Sequence, residues 1–173
     1  MNFGFLLRGL PGHPLHPPLT DATIGTYTVA TALAFADVLG LSENAAAGGW
    51  WLALLFGLCL TVATALTGLA DWLQISRRTP LWWTATWHML VMVTATVFFG
   101  LAAIFGHDGW TRGDVTAGPF VLTLVGFGWL ALGGWLGGSI VFVHGMRVLN
   151  LVDEPPARAV APVATPEKEA ASR

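Results

Sequence analysis

The amino-acid sequence predicts an all-α fold: an integral membrane, up-down four-helix bundle followed by a disordered C-terminal tail. Hydrophobic residues make up 54% of the 173 residues and charged residues only 10%, whereas an ordinary soluble domain carries roughly a quarter charged residues. Four segments reach the ~20 apolar residues needed to cross the hydrocarbon core of a bilayer. The chain also has nine tryptophans, which favour the membrane–water interface.

The first element is an N-terminal segment, residues 1–19, that ends in a His-Pro turn leading into the membrane. Its prolines fix φ and are tolerated where a helix starts. The transmembrane domain covers residues 20–151. Its four predicted spans are residues 20–41, 49–73, 81–104 and 119–149. The connections 42–48, 74–80 and 105–118 are short enough to make neighbouring helices antiparallel.

The last element is a tail, residues 152–173. From residue 154 onward it contains proline, alanine and charged residues, and valine is its only large apolar residue. Such a composition cannot bury enough surface to order the chain, so we predict disorder.

Basic residues indicate the orientation of the bundle, because cytoplasmic loops carry an excess of Lys and Arg. One side of the predicted bundle holds Arg8, Arg77, Arg78, Arg147, Arg158, Lys168 and Arg173. The other side holds only Arg112. Both termini are therefore predicted to be cytoplasmic. The lipid bilayer is the expected partner, and a net charge of −2 gives no basic surface for nucleic acid.

Four histidines are predicted to lie near the cytoplasmic face. His13 and His16 precede the first span, His88 lies about two turns into the third span, and His144 lies near the end of the fourth. Ionisable residues at membrane depth are functional candidates by default. His107 is expected in the opposite loop, beside Asp108 and away from these four.

Two carboxylates belong to the same level. Asp71 ends the second span and Asp21 begins the first. Each shares a helical face with small residues: Asp71 with Gly68, and Asp21 with Gly25. Small residues mark the faces on which membrane helices pack, so these side chains are expected to point inward.

Two plainer interpretations stand beside the site hypothesis. The histidines can bond to backbone or extend toward lipid headgroups, and Asp71 can pair with Arg77 or Arg78. The glycines of the fourth span can serve helix packing, contact with a second copy, or clearance for a flat cofactor. These are Gly133, Gly134, Gly137 and Gly138.

Four motifs occur in order: Gly-His-Pro-Leu-His-Pro at 12–17, Thr-Gly-Leu-Ala-Asp-Trp at 67–72, His88, and Gly-Gly-Ser-Ile-Val-Phe-Val-His-Gly at 137–145. With them the chain resembles the bacterial membrane family called domain of unknown function 2231, over residues 12–148. The resemblance implies a four-helix domain of the inner (cytoplasmic) membrane, similar to haem-binding cytochrome b bundles. Members commonly carry His-Phe-Pro-Ile-Gly where this chain has Asp-Ala-Thr-Ile-Gly at 21–25, so Asp21 replaces a family histidine.

Three functions remain open, and whether the protein is an enzyme is open with them. The first is a b-type haem for electron transfer, held by His88 and His16 (or His13) across the first–third diagonal, because adjacent helices pack too closely at about 8–10 Å. His144 would then contact a propionate or a second metal. The second is a non-haem metal such as Zn or Fe, bound by His16, His88, His144 and Asp71 with Asp21 behind them. The third is a non-catalytic membrane subunit or anchor for a membrane or soluble redox partner.

Overall fold

The computed structural model describes residues 4–42, 44–149 and 151–162. Most of them are helical. The helices are α1 (Gly4–Arg8), α2 (His16–Val38), α3 (Ala45–Trp72), α4 (Pro80–Arg112), α5 (Ala117–Gly138) and α6 (Pro156–Ala159), with a π-helical turn at Ser139–Val143. Two short strands, β1 (Gly9–Leu10) and β2 (His13–Pro14), pair antiparallel before α2. The fold is therefore mainly, and not purely, α-helical.

Three helices are long and apolar enough to cross a membrane. They are α3, α4 and the continuous stretch Ala117–Val143, with mean hydropathies of 2.1, 2.2 and 1.7. Among the described residues α2 does not join this set, although it has 23 residues. Its threonines and its two aspartates, Asp21 and Asp37, lower its mean hydropathy.

The long helices form two antiparallel hairpins, α2 with α3 and α4 with α5. Further contacts join α3 to α4 and α2 to α5, so α2 faces α4, and α3 faces α5, across the diagonals. Side chains fill the space between. The rings of Tyr27 and Phe99 stack with centroids 4.0 Å apart, and the Trp50 indole N–H donates to Thr123 Oγ1 over 3.1 Å.

The two hairpins bury matching positions. Tyr27 of α2 corresponds to Phe99 of α4, and the same offset in residue number takes each of the remaining buried residues of α2 to a buried residue of α4. The pairs are Thr23 with Ala95, Ala30 with Ala102, Thr31 with Ala103, and Ala34 with Gly106. A second shift matches four buried residues of α3 to buried residues of α5, taking Trp50 to Pro119, Leu54 to Thr123, Gly57 to Gly126 and Thr64 to Gly133. The bundle thus has an approximate twofold axis parallel to its helices, running between Tyr27 and Phe99.

The third predicted span ends too early. Instead of a loop at 105–118, α4 continues to Arg112 and leaves only residues 113–116 as the connection. Glycine and charge suggested a loop, but the glycines serve packing. A Cβ on Gly106 would lie 2.2 Å from the Trp50 ring, and one on Gly109 would lie 2.2 Å from the Asp114 carbonyl oxygen. His107 is therefore on a helix, with its ring centroid 5.4 Å from that of Trp51.

The fourth predicted span ends too late. The α-helix stops at Gly138 and the π-helical turn at Val143, not at residue 149. Gly145 and Arg147 have φ values of 64° and 65°, which a right-handed helix does not allow. His144 consequently follows the helix instead of lying inside it.

The N-terminal segment and the tail contain more structure than predicted. Because α2 begins at His16, the segment before it is shorter than residues 1–19, and it holds α1 and both strands. In the predicted tail, α6 spans Pro156–Ala159, and Arg158 Nε lies 2.9 Å from Glu154 Oε1. The rest of the predicted tail, residues 163–173, lies outside the described residues.

Candidate functional site

The predicted cluster lies at one end of the bundle, here called the histidine end. There α2 and α4 begin while α3 and α5 finish, which places His16, Asp71, His88 and His144 at the same end of the bundle. His107 lies near the carboxyl end of α4, at the opposite end. The contacts of each side chain decide what it is free to do.

His16 is fixed by the backbone of α3. Its Nδ1 lies 3.0 Å from the Thr64 carbonyl oxygen and 3.3 Å from Thr67 Oγ1. A carbonyl oxygen only accepts, so Nδ1 carries the proton and Nε2 of the neutral ring keeps its lone pair. Gly68 makes room for the ring, since a Cβ there would lie 2.7 Å from His16 Cε1.

His88 is held in the same way by the second hairpin. Its Nδ1 lies 2.9 Å from the Gly133 carbonyl oxygen, and a Cβ on Gly137 would lie 3.2 Å from its Cε1. The twofold shift carries Thr64 to Gly133 and Gly68 to Gly137. The two histidines thus make equivalent backbone contacts at equivalent positions.

This arrangement leaves two ring nitrogens available across the α2–α4 diagonal. Neither Nε2 has a hydrogen-bond partner among the residues that the structure describes. Ligating histidines in proteins typically donate their other N–H to a carbonyl or a carboxylate, which fixes the tautomer and the ring orientation. Each ring can therefore supply a neutral imidazole ligand through Nε2, and histidine is an axial ligand that suits haem iron.

Asp71 forms a separate ionic cluster. The residue is 6% exposed, and its Oδ1 lies 3.4 Å from Arg8 Nε and 3.3 Å from Arg147 Nη2. Arg147 also donates to the Arg8 carbonyl oxygen. The sequence interpretation that paired Asp71 with Arg77 or Arg78 was wrong, because the N-terminal segment and the turn after α5 bring other arginines closer.

The remaining candidates have other surroundings. His144 Nε2 lies 3.0 Å from Thr84 Oγ1. His13 is exposed, with Nε2 3.1 Å from the Ala161 carbonyl oxygen. Asp21 is exposed, as is Gly25 on the same face, so this stripe lies on the outside of α2 and not in the bundle. The inward face of α2 is instead the one that carries Thr23 and Tyr27.

The larger metal-ligand set is not assembled. Within residues 4–42, 44–149 and 151–162, no group of three or more His, Cys, Asp or Glu side chains is arranged to hold a metal ion. Of these predicted ligands, His16 and His88 share the same kind of contact, from Nδ1 to a backbone carbonyl of the neighbouring helix. Sequence reasoning missed Arg8 and Arg147 as site residues and used them for orientation alone. The sequence gives only a weak signal for these two arginines, a glycine close to each of them. Gly9 follows Arg8 and Gly145 precedes Arg147, and both glycines have a positive φ.

Comparison with known proteins gives one match. No curated protein and no solved structure shows significant similarity to this chain. The profile of one family, described as predicted membrane protein (DUF2231), matches residues 12–150. This range contains the four long helices and every histidine described above, so the chain belongs to the DUF2231 family of predicted membrane proteins.

Proposed function

We propose that this protein is a four-span membrane haem protein that binds one haem b between His16 and His88 and takes part in electron transfer. The observation that carries the proposal is the equivalent anchoring of the two rings. Each histidine donates Nδ1–H to a carbonyl of the neighbouring helix and leaves Nε2 unpaired. Nothing in helix packing alone requires two such rings on facing helices at the same level.

The surroundings of the pair fit a flat group. Gly68 and Gly137 flank the two rings. Deeper in the bundle, Thr23 on α2 and the corresponding Ala95 on α4 are buried, and both are small. A bound haem would supply one-electron redox chemistry. The chain's own part is to hold the imidazoles in a fixed tautomer, to orient them and to keep water away.

The proposal includes α2 as a fourth span. All five of its threonines, Thr20, Thr23, Thr26, Thr28 and Thr31, donate to the carbonyl oxygen four residues earlier. Their hydroxyl groups are therefore satisfied within the helix, as hydrocarbon requires. With α2 spanning, both termini lie in the cytoplasm of a bacterial cell and the histidine end faces the cytoplasmic side of the inner membrane. A redox partner would approach from that side or within the membrane.

The test is a visible spectrum of the detergent-purified protein after haem addition. A Soret band is expected from the parent. His16→Ala and His88→Ala should each abolish its low-spin form, and to the same degree, because the two rings are held equivalently. His107→Ala is the matched control at the other end of the bundle, and His144→Ala should perturb the band less.

Two outcomes would contradict the proposal. One is a low-spin spectrum that survives the loss of both His16 and His88. The other is a parent protein that binds no haem. In the second case, metal found by elemental analysis would support the non-haem alternative, and its absence would support a membrane subunit or anchor.

A further inference from the structure

We infer that Arg8 and Arg147 form a binding subsite for the acidic groups of the ligand held by the histidines, which for haem are its propionate carboxylates. The inference rests on the proposed function. It specifies in addition on which side of the site the acidic groups of the ligand are bound. It also predicts that the ligand is amphiphilic, with its carboxylates toward α3 and the two terminal segments.

The first argument is the charge count around Asp71. Two guanidinium groups share one carboxylate oxygen, at 3.4 and 3.3 Å, so the cluster keeps one positive charge in excess. Arg147 Nε is buried and has no hydrogen-bond partner within the described residues. Guanidinium groups recognise carboxylates through paired N–H donors. The cluster therefore has both charge and a donor left for a second anion.

The second argument is the position of the cluster beside His16. Thr64, Thr67 and Asp71 lie on one buried face of α3, and the first two contact His16 Nδ1. Asp71 follows Thr67 by about one helical turn, a rise of roughly 6 Å. An anion held by the arginines would thus lie within the span of a ligand centred between the histidines.

The third argument is that the cluster breaks the twofold symmetry. The shift that carries Thr64 to Gly133 carries Asp71 to Ile140, in the π-helical turn, where no charge is available. The ligand site is therefore symmetric at its two histidines and asymmetric at its rim. A ligand with acidic groups along one edge and apolar groups along the other matches this distribution.

The fourth argument is that the backbone adopts uncommon conformations to bring the two arginines together. Arg147 has φ 65°, and Gly9, directly after Arg8, has φ 75°. A left-handed conformation is unusual for a residue other than glycine. Arg147 then donates to the Arg8 carbonyl oxygen, which joins the segment before α2 to the segment after α5 at the histidine end.

The experiment compares haem with haem dimethyl ester, in which the carboxylates are neutral, by titration into the full-length protein in detergent. The parent should bind haem at least about tenfold more tightly than the ester, a difference of about 1.4 kcal/mol, because charge-assisted hydrogen bonds between a guanidinium and a carboxylate are among the strong ones. Arg8→Gln and Arg147→Gln should each reduce this preference without moving the Soret band. Single variants leave Asp71 with one arginine, so the carboxylate stays paired.

Arg147→Lys keeps the charge and loses the planar fork, and it should retain part of the preference. Arg77→Gln is the control on the same side of the membrane and should leave it unchanged. The inference is wrong if the parent binds haem and ester equally, or if the arginine variants weaken both to the same extent. It is also wrong if they lose only co-purified anionic phospholipid, which would assign the subsite to a lipid phosphate. A parent that binds neither porphyrin refutes the proposed function and this inference together.

Discussion

At the scale of single residues, glycines determine where the histidine rings can lie. Gly68 and Gly137 stand where any side chain would contact a ring carbon of His16 or His88. The sequence revealed the histidines by residue type and level, and it revealed the glycines as a small-residue face. It could not reveal which carbonyl each ring contacts, because this depends on the register between helices and not on periodicity within one helix.

Replacing Gly68 by alanine should therefore displace His16. The new Cβ would lie 2.7 Å from Cε1, while the hydrogen bond to Thr64 holds the ring in place. Overpacking of this kind typically costs about 1–3 kcal/mol. Gly134→Ala is the control, since a Cβ there meets nothing within 4 Å. It should be neutral or stabilise the helix by up to about 1 kcal/mol.

The measurement is thermal unfolding of both variants in the same detergent, together with haem affinity. Gly68→Ala should melt at a lower temperature and bind haem more weakly, and Gly134→Ala should do neither. Equal behaviour of the two variants would show that His16 is not confined by α3 as the structure indicates.

At the scale of helices, patterns along the chain identified the long segments but misplaced their ends. Residues 106–109 read as a loop because they combine two glycines with His107 and Asp108. In the bundle Gly106 receives the Trp50 ring, so tertiary packing keeps the helix intact there. The opposite error occurred in the fourth segment, where apolar residues continue past the point at which the backbone turns.

Trp50 is expected to make the most stabilising contact between the diagonal helices α3 and α5 at the end opposite the histidines. Its side chain is fully buried, it packs on Gly106, and its N–H donates to Thr123. Trp50→Ala should cost about 3–5 kcal/mol through the cavity left behind. Trp50→Phe should cost less, because it removes the hydrogen bond, worth about 0.5–1.5 kcal/mol, and only part of the packing.

Unfolding in a mixed-detergent titration would measure the loss of stability in each Trp50 variant. Trp135→Phe is the control, because Trp135 is 79% exposed. The haem spectrum of any variant that remains folded should be that of the parent, since Trp50 lies at the far end from His16 and His88. If Trp50→Phe destabilised the protein as much as Trp50→Ala, the hydrogen bond and not the packing would dominate.

At the scale of the whole molecule, the bundle is two similar hairpins related by a twofold axis along the helices, the arrangement of parallel repeats in membrane proteins. The repeat is difficult to detect in the sequence because corresponding residues differ in type. Tyr27 hydrogen-bonds to Thr61 at 2.9 Å, while the corresponding Phe99 and Leu130 are apolar residues of the core. Between α2 and α4 the buried positions correspond while the residue types differ, so composition and motif alone did not show the repeat.

The last prediction concerns how many helices cross the membrane and which ends of the helices face the cytoplasm. Four spans place residues 2 and 76 in the cytoplasm and residues 41 and 108 outside it. In a Cys59→Ser background, a membrane-impermeant maleimide applied to intact spheroplasts should label Leu41→Cys and Asp108→Cys. It should spare Asn2→Cys and Ser76→Cys until the cells are opened.

The basis is the concentration of arginines on one side of the bundle together with the satisfied hydroxyl groups of α2. Labelling of Asn2→Cys together with Leu41→Cys would show that α2 does not cross the membrane. The three apolar helices would then stand alone as spans. A full inversion of the pattern would keep four spans and move the histidine end to the outer face. A soluble redox partner of the proposed haem site would then act outside the cytoplasm, because His16 and His88 lie at that end of the bundle.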